Sequence, residues 1–389
     1  MKRAFLISAA LMAALSTACC RNLSEALVSS EMTRSTEASF LDGMQGKLKW
    51  NYTTGMELLA MLDVYERYGD RAVLDYVDAW YDAIIMDDGT PGANYRMDNF
   101  TLDHICPART LFKLYDLTGK EKYRLALDVL QAQIGKQPRT SDGGFWHKKA
   151  YPWQMWLDGL YMAEPFYAEY NARFVGSPQV YEDIMKQFLL AAHHCYDPST
   201  GLYRHAWDES REMFWCDKSS GQSAHAWGRA MGWYCMAVVE TLPFIPEDTP
   251  GRDELLDIFR GIAGRLPEYA DPVTGMWYQV LDCPGREGNY VEATCSAMFT
   301  YSMLKGARLG YLPATAGRYA RDCYDRLLST FVTEDADGLV DLNRCCAVAG
   351  LGGKENRSGD YDYYIHEKVT ANDPKGIAPL VWAALEIER

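Results

Sequence analysis

The sequence predicts an all-α fold, a single-domain (α/α)6 barrel built as a six-hairpin toroid, and three observations predict it. Apolar residues recur at helical spacing along most of the chain, the helical segments pair across short turns, and the loops between pairs repeat one pattern. In the first pair, Met56, Leu59, Leu62, Tyr65 and Tyr68 form one stripe and Val73, Val77, Trp80 and Ile84 the next, parted by Tyr68-Gly69-Asp70. Residues 103–117 and 121–134 pair around Leu117-Thr118-Gly119-Lys120, and 157–171 and 179–194 around Gly176-Ser177-Pro178. Residues 223–241 and 253–269 follow, then 290–310 and 314–331, each pair split by a proline-bearing turn. Residues 376–388 supply a last helix and 23–40 one more at the start.

The long loops resemble one another. Asp142-Gly143-Gly144-Phe145-Trp146 corresponds to Asp197–Tyr203, to Asp271–Trp277 and to Asp337-Gly338-Leu339-Val340: an acid, a glycine turn, then an extended apolar run. Hairpins of this kind either close into a ring or wind into an open superhelix. An open array needs polar capping repeats, and neither chain end carries an obvious one. In a closed ring, all long loops and all starts of inner helices lie at one end. Asp103, His147, Asp158, His205, Arg229 and Trp233 are then expected at one mouth.

Composition narrows the function classes. A hydrophobic content of 48% allows a large core, and the 11 Trp and 26 Tyr are enough to furnish walls for a sugar as well. The net charge of −14 argues against nucleic acid or an anionic membrane surface as partner, and means that an anionic substrate needs a local basic pocket. Lys2 and Arg3 precede the apolar run Ala4–Leu15, too short to span a bilayer, and Ser16-Thr17-Ala18 then offers a cleavage site. Residues 1–20 therefore read as a signal peptide and 21–389 as the barrel. Cys19-Cys20 resembles a lipoprotein site, with Leu15 four residues before Cys19 rather than the usual three. The expectation is export, to the periplasm or to a lipid anchor in a bacterial membrane. The nine other cysteines include no CxxC and read mostly as buried thiols, with a bridge within Cys283–Cys346 left open.

The richest stretch is Phe145–Phe166, FWHKKAYPWQMWLDGLYMAEPF. Its one acid at a helix start is Asp158, between Trp156 and the apolar run that follows. A carboxyl group desolvated by indoles can keep a proton near neutral pH, which is what a general acid needs. A helix cap in an aromatic cluster is the plainer reading. His147 and Lys148 add donors for a sugar carboxylate. Arg229 and Trp233, one turn apart in His225–Trp233, read as a guanidinium–indole clamp for a uronate, or else as a surface stacking pair. Gly228 and Gly232 would let a backbone or ligand approach. Asp103 opens a helix and would be a second carboxylate opposing ionisation of Asp158. No spacing of His, Asp and Glu matches a metal site, and no G-x-S-x-G, P-loop or dinucleotide fingerprint is present, so neither metal nor cofactor is expected.

FWHKKAYPWQMWLDGLYMAEPFY together with AWGRAMGWY resembles glycoside hydrolase family 105, the unsaturated rhamnogalacturonyl hydrolases, over the chain from about Trp50 onward. The resemblance implies an (α/α)6 barrel and a substrate, the unsaturated uronic acid that polysaccharide lyases leave at a non-reducing end. It implies Asp158 as catalytic acid/base. Asp103, His147, Lys148, Trp156, His205, Arg229 and Trp233 would line the sugar site. Three rivals stand beside it: an unsaturated glucuronyl hydrolase of the neighbouring family, a non-catalytic uronate-binding protein, and a classical inverting glycosidase using Asp103 with Asp158.

Overall fold

The computed structural model describes residues 22–389; the expected signal peptide and Cys19-Cys20 lie outside the described residues. The helices are α1 (Leu23–Arg34), α2 (Tyr52–Tyr68), α3 (Arg71–Ile84), α4 (Arg109–Thr118), α5 (Glu121–Ile134), α6 (Leu157–Tyr170), α7 (Pro178–Cys195), α8 (Gly228–Thr241), α9 (Arg252–Arg265), α10 (Ala293–Arg308), α11 (Ala314–Phe331), the short α12 (Tyr361–His366) and α13 (Pro374–Ile387). Helices α2 and α4 pack together, α4 meets α6 through Phe112 on Phe166 and Arg109 over Tyr161, and α6, α8, α10 and α13 each pack on the next, with α13 returning to α2, so the inner ring closes. The outer layer is α3, α5, α7, α9 and α11, with α1 backing α13. The open superhelix is thereby excluded.

Sequence explains which helices go inside. Helix α8 is apolar or small all round, and every residue from Gly228 to Val239 is buried. An outer helix such as α3 buries only the stripe Val73, Leu74, Val77, Trp80, Tyr81 and Ile84. The hairpin turn between α2 and α3 is built as its residues dictate. Gly69 ends α2 at φ +79°, and the Asp70 side chain accepts from the Ala72 N–H to start α3. The segment 103–117 is not one helix. It opens as 3-10 turns at Leu102–His104 and Cys106–Ala108 before α4, because Pro107 cannot donate to the preceding turn. Gly55 makes room for that proline: a Cβ there would stand 2.4 Å from Pro107 Cβ.

Two of the four long loops share one turn, while in the other two the Gly143 and Gly338 N–H groups donate instead to the Thr140 and Asp335 carbonyls. The Gly201 N–H donates to the Asp197 carbonyl and that of Gly275 to the Asp271 carbonyl, with both glycines at positive φ. Backbone bonds then pass from loop to loop around the mouth: Leu102 N–H to His147 O, His147 N–H to Gln154 O, Leu157 N–H to His205 O, His205 N–H to His225 O and Gly228 N–H to Gln279 O. A two-stranded ribbon, Gln154–Trp156 against Ala206–Asp208, is part of this belt. All nine cysteines among the described residues are free, so the bridge left open within Cys283–Cys346 is absent.

Candidate active site

Six inner-helix N-termini face the mouth, and Asp158 occupies the first turn of α6. Its side chain is 14% exposed, and Oδ2 lies 3.2 Å from His205 Nε2, off the line of a hydrogen bond. Neither atom has another hydrogen-bond partner among the described residues. His205 Nδ1 is 2.7 Å from the Tyr364 hydroxyl. Burial keeps that phenol protonated well above its ordinary range, with the carboxylates nearby adding to the effect. With Tyr364 donating to Nδ1, the ring proton of His205 sits on Nε2, on the side of Asp158 but off the line to its Oδ2.

Trp156 is the wall of the site. His147 stacks on it at 4.8 Å and 7°, Tyr151 at 5.1 Å and 1°, and His205 meets it edge-on at 5.1 Å. Gln154 fixes the indole by accepting from its Nε1 at 3.0 Å. Gly159 lets His147 lie on the first turn of α6, since a Cβ there would come within 3.2 Å of His147 Nδ1. Burial holds the His147 imidazole neutral, down at about 4, against the opposing pull of Asp103.

Asp103 is not a bare second carboxylate. Lys148 Nζ stands 2.6 Å from Oδ2 and His147 Nε2 3.4 Å from Oδ1. Burial alone would push the Asp103 carboxyl up, but Lys148 and then His147 bring it below its ordinary value. Its negative charge is thus spent locally on Lys148 rather than on Asp158.

The guanidinium–indole clamp takes a different form. Arg229 lies over Trp227 at 5.2 Å, not over Trp233, and pairs with Glu292 at 3.4 Å while donating to the Cys346 carbonyl. Trp233 packs on Tyr161 at 4.8 Å and meets Tyr52 at 6.3 Å. Arg229 and Trp233 are each 1% exposed, so they form the floor rather than an open face. Gly228 and Gly232 admit a neighbouring helix, not a ligand: added Cβ atoms would strike Cys295 and Met298 of α10. Thus Asp103, His147, Lys148, Trp156, Asp158 and His205 come together at the mouth, with Arg229 and Trp233 beneath them.

Sequence reasoning missed Tyr52, Tyr151 and Tyr364. Tyr52 starts α2 as Asp158 starts α6, and the repeat register alone could have singled it out. Burial first, then the carboxylates of Asp103 and Asp158, keep its hydroxyl protonated. Beside the Trp156 stack opens a cavity of about 660 Å³ lined by Tyr151, Gln154, Met213, Lys354 and Arg357 among others. It is large enough for further sugar units.

Comparison with known proteins agrees with this geometry. The family described as Glycosyl Hydrolase Family 88 matches residues 23–389, and so includes α1, where the sequence alone showed no family pattern. A solved glycoside hydrolase of family 105 from C. acetobutylicum ATCC 824 is 40% identical, with a TM-score of 0.89, covering 95% of this chain and 99% of that one. A protein of Agrobacterium fabrum is 38% identical over 58% of this chain and 97% of its own length. The unsaturated rhamnogalacturonyl hydrolase YesR of Bacillus subtilis is 25% identical over 67% of this chain and 72% of its own length. Matched along nearly its whole described length by the family and by a solved member at 40% identity, the chain belongs to the glycoside hydrolases of families 88 and 105, the unsaturated uronyl hydrolases.

Proposed function

We propose that the enzyme removes a 4,5-unsaturated galacturonyl or glucuronyl residue from the non-reducing end of lyase-generated oligosaccharides, rhamnogalacturonan fragments foremost. The observation that carries this is Asp158, alone at a helix start, with an oxygen free of hydrogen bonds beside His205 and Trp156. A classical glycosidase pair needs two carboxyl groups in complementary protonation states. Asp103, bound by Lys148, is poorly suited to be the second.

An unsaturated uronide is a vinyl ether, and one acid suffices for it. Asp158 gives its proton to C4 of the C4=C5 bond, leaving an oxocarbenium ion shared by C5 and the ring oxygen. The carboxylate so formed takes a proton from water as the water oxygen bonds to C5. The resulting hemiketal opens, the linear keto-acid rearranges, and the remaining sugar leaves as an alcohol. His205, donating from Nε2, stabilises the carboxylate stage, as does the N-terminus of α6. Lys148, with its side chain 26% exposed, is the accessible cation for the uronate, while Trp156, buried and stacked by His147 and Tyr151, holds those rings in place beside Asp158. Arg229 adds positive charge from the floor. We place the enzyme outside the cytoplasm, on the strength of the residues that precede the barrel.

The test is loss of the ultraviolet absorbance of the C4=C5 bond on incubation with lyase digests of rhamnogalacturonan, ulvan and glycosaminoglycan. Fastest loss on the rhamnogalacturonan digest is expected, with no action on saturated oligosaccharides. Preference for another digest would reassign the substrate to a glucuronyl class. Binding without absorbance loss would make the protein a uronate binder.

A further inference from the structure

We propose that His225, Asp282 and Cys283 form a binding site for one divalent transition-metal ion of the zinc class. His225 lies in the loop entering α8, and Asp282 and Cys283 in the loop before α10. Among the described residues this is the place where three such donor atoms converge, all within 4.8 Å of one another. His225 Nδ1 is 3.1 Å from Asp282 Oδ2 and 3.8 Å from Cys283 Sγ. A tetrahedral ion with bonds of about 2.0 to 2.3 Å sets its ligands about 3.4 to 3.6 Å apart, which the observed separations bracket. One imidazole nitrogen, one carboxylate oxygen and one sulfur are the donor set this class of ion selects.

The two competing readings of the cluster fit less well. A Cys–His–Asp catalytic relay needs the two partners on opposite ring nitrogens, and here both face Nδ1. A plain ion pair accounts for Asp282, whose Oδ2 meets Arg204 at 2.7 Å and whose Oδ1 accepts from the Ala226 N–H at 3.1 Å. The sulfur has a long contact, 3.8 Å, with His225 Nδ1. Cys283 is partly exposed whereas the other eight described cysteines are buried, so its thiol is the one an incoming ion can reach. Arg204 opposes a cation, but it is shared with Asp197 and leaves the group of two carboxylates and one guanidinium with a net negative charge. Burial, and then the Asp282 carboxylate, push the Cys283 thiol up, with Arg286, over Tyr361 at 3.8 Å, opposing them in part, so the thiol gives up its proton to the ion rather than beforehand.

Binding releases one proton. The Cys283 S–H bond breaks, the proton leaves to solvent, and the thiolate, the neutral His225 Nδ1 and the Asp282 carboxylate bond the ion, with water at the fourth position. The His205 N–H donates to the His225 carbonyl, so an ion here would brace the loop that carries His205. This site is independent of the hydrolase reading.

The experiment uses the full chain, stripped with a chelator and titrated with Zn²⁺ and, separately, Co²⁺. One ion retained per chain is expected, with a thiolate-to-cobalt charge-transfer band in the Co²⁺ form. Cys283→Ser should abolish the band and weaken Zn²⁺ at least about tenfold, and Asp282→Asn, which retains only one of the two accepting oxygens, should weaken it similarly. No retained ion, or a band that survives Cys283→Ser, overturns the proposal.

Discussion

The two ends of the ring use the same residue types to opposite purposes. At the end where the inner helices finish, Glu240 of α8 is gripped by Arg109 at 2.6 Å and Lys305 at 2.7 Å, with the Tyr301 hydroxyl also donating. Burial alone would raise the Glu240 carboxyl, but Lys305 and Arg109 hold it down at about 2. Arg308 and Glu386 form a two-bond pair at 2.6 and 2.8 Å around the same cavity of about 570 Å³. At the mouth, Asp158 has only an off-line His205 and, among the described residues, no Lys or Arg within ion-pair distance. A buried carboxylate saturated with cations is structure. One left with a lone oxygen at an opening is available for chemistry.

That contrast can be broken in order of expected effect. Asp158→Asn should lower kcat by about 10³-fold with KM and Tm nearly unchanged; a mutant near wild-type rate on the unsaturated digest would remove Asp158 from the chemistry. Glu240→Gln should do the reverse. It should cost about 3 kcal/mol in urea unfolding, because Arg109 and Lys305 lose their shared anion, and leave kcat per folded molecule little changed.

Acid should separate the ends as well. The folded His147 titrates at about 4, below its ordinary 6.5, so the unfolded chain binds the extra proton first. Stability from this group is complete above pH 6.5 and falls as pH drops toward 4, by about 2 kcal/mol at pH 5. His104 sits at about 4 for the same reason, burial, and adds in the same sense. Glu240 is lowered from 4.5 to about 2, so its contribution is intact above pH 4.5 and is lost only below it. Urea midpoints at pH 7 and pH 5 should therefore fall in the wild type and fall less in His147→Phe, while Glu240→Gln should keep the wild-type slope over that range. The smallest effect expected is in Tyr364→Phe: about tenfold in kcat, with KM held, from loss of the bond that fixes the His205 tautomer.

The hairpins were legible because helix stripes, glycine stops and Asp-Gly loops are local signals. So was the place of Asp158 at a helix start, since its aromatic neighbours are contiguous in sequence. What failed was partner identity across the ring. Spacing put Arg229 and Trp233 on one face, yet the indole under the guanidinium is Trp227, since α8 is buried all round and every face has a neighbour. Asp103 read as a free acid because nothing local shows that the Lys148 ammonium reaches it. The Tyr364 contact joins positions 159 apart, and the His225–Asp282 contact positions 57 apart, so no window of sequence contains either. Chain spacing likewise hid the metal-donor cluster, which no recognised motif describes.

The ring is clasped where the start of α1 meets the end of α13: the Ser24 N–H donates to Glu388 Oε1 at 3.0 Å, and the Tyr68 hydroxyl at the finish of α2 donates to Oε2 at 2.8 Å. The start of α1 therefore leaves the body at the face opposite the sugar opening. Any tether made through residues preceding Asn22 would hold the molecule by its back, with the opening turned outward toward arriving oligosaccharides.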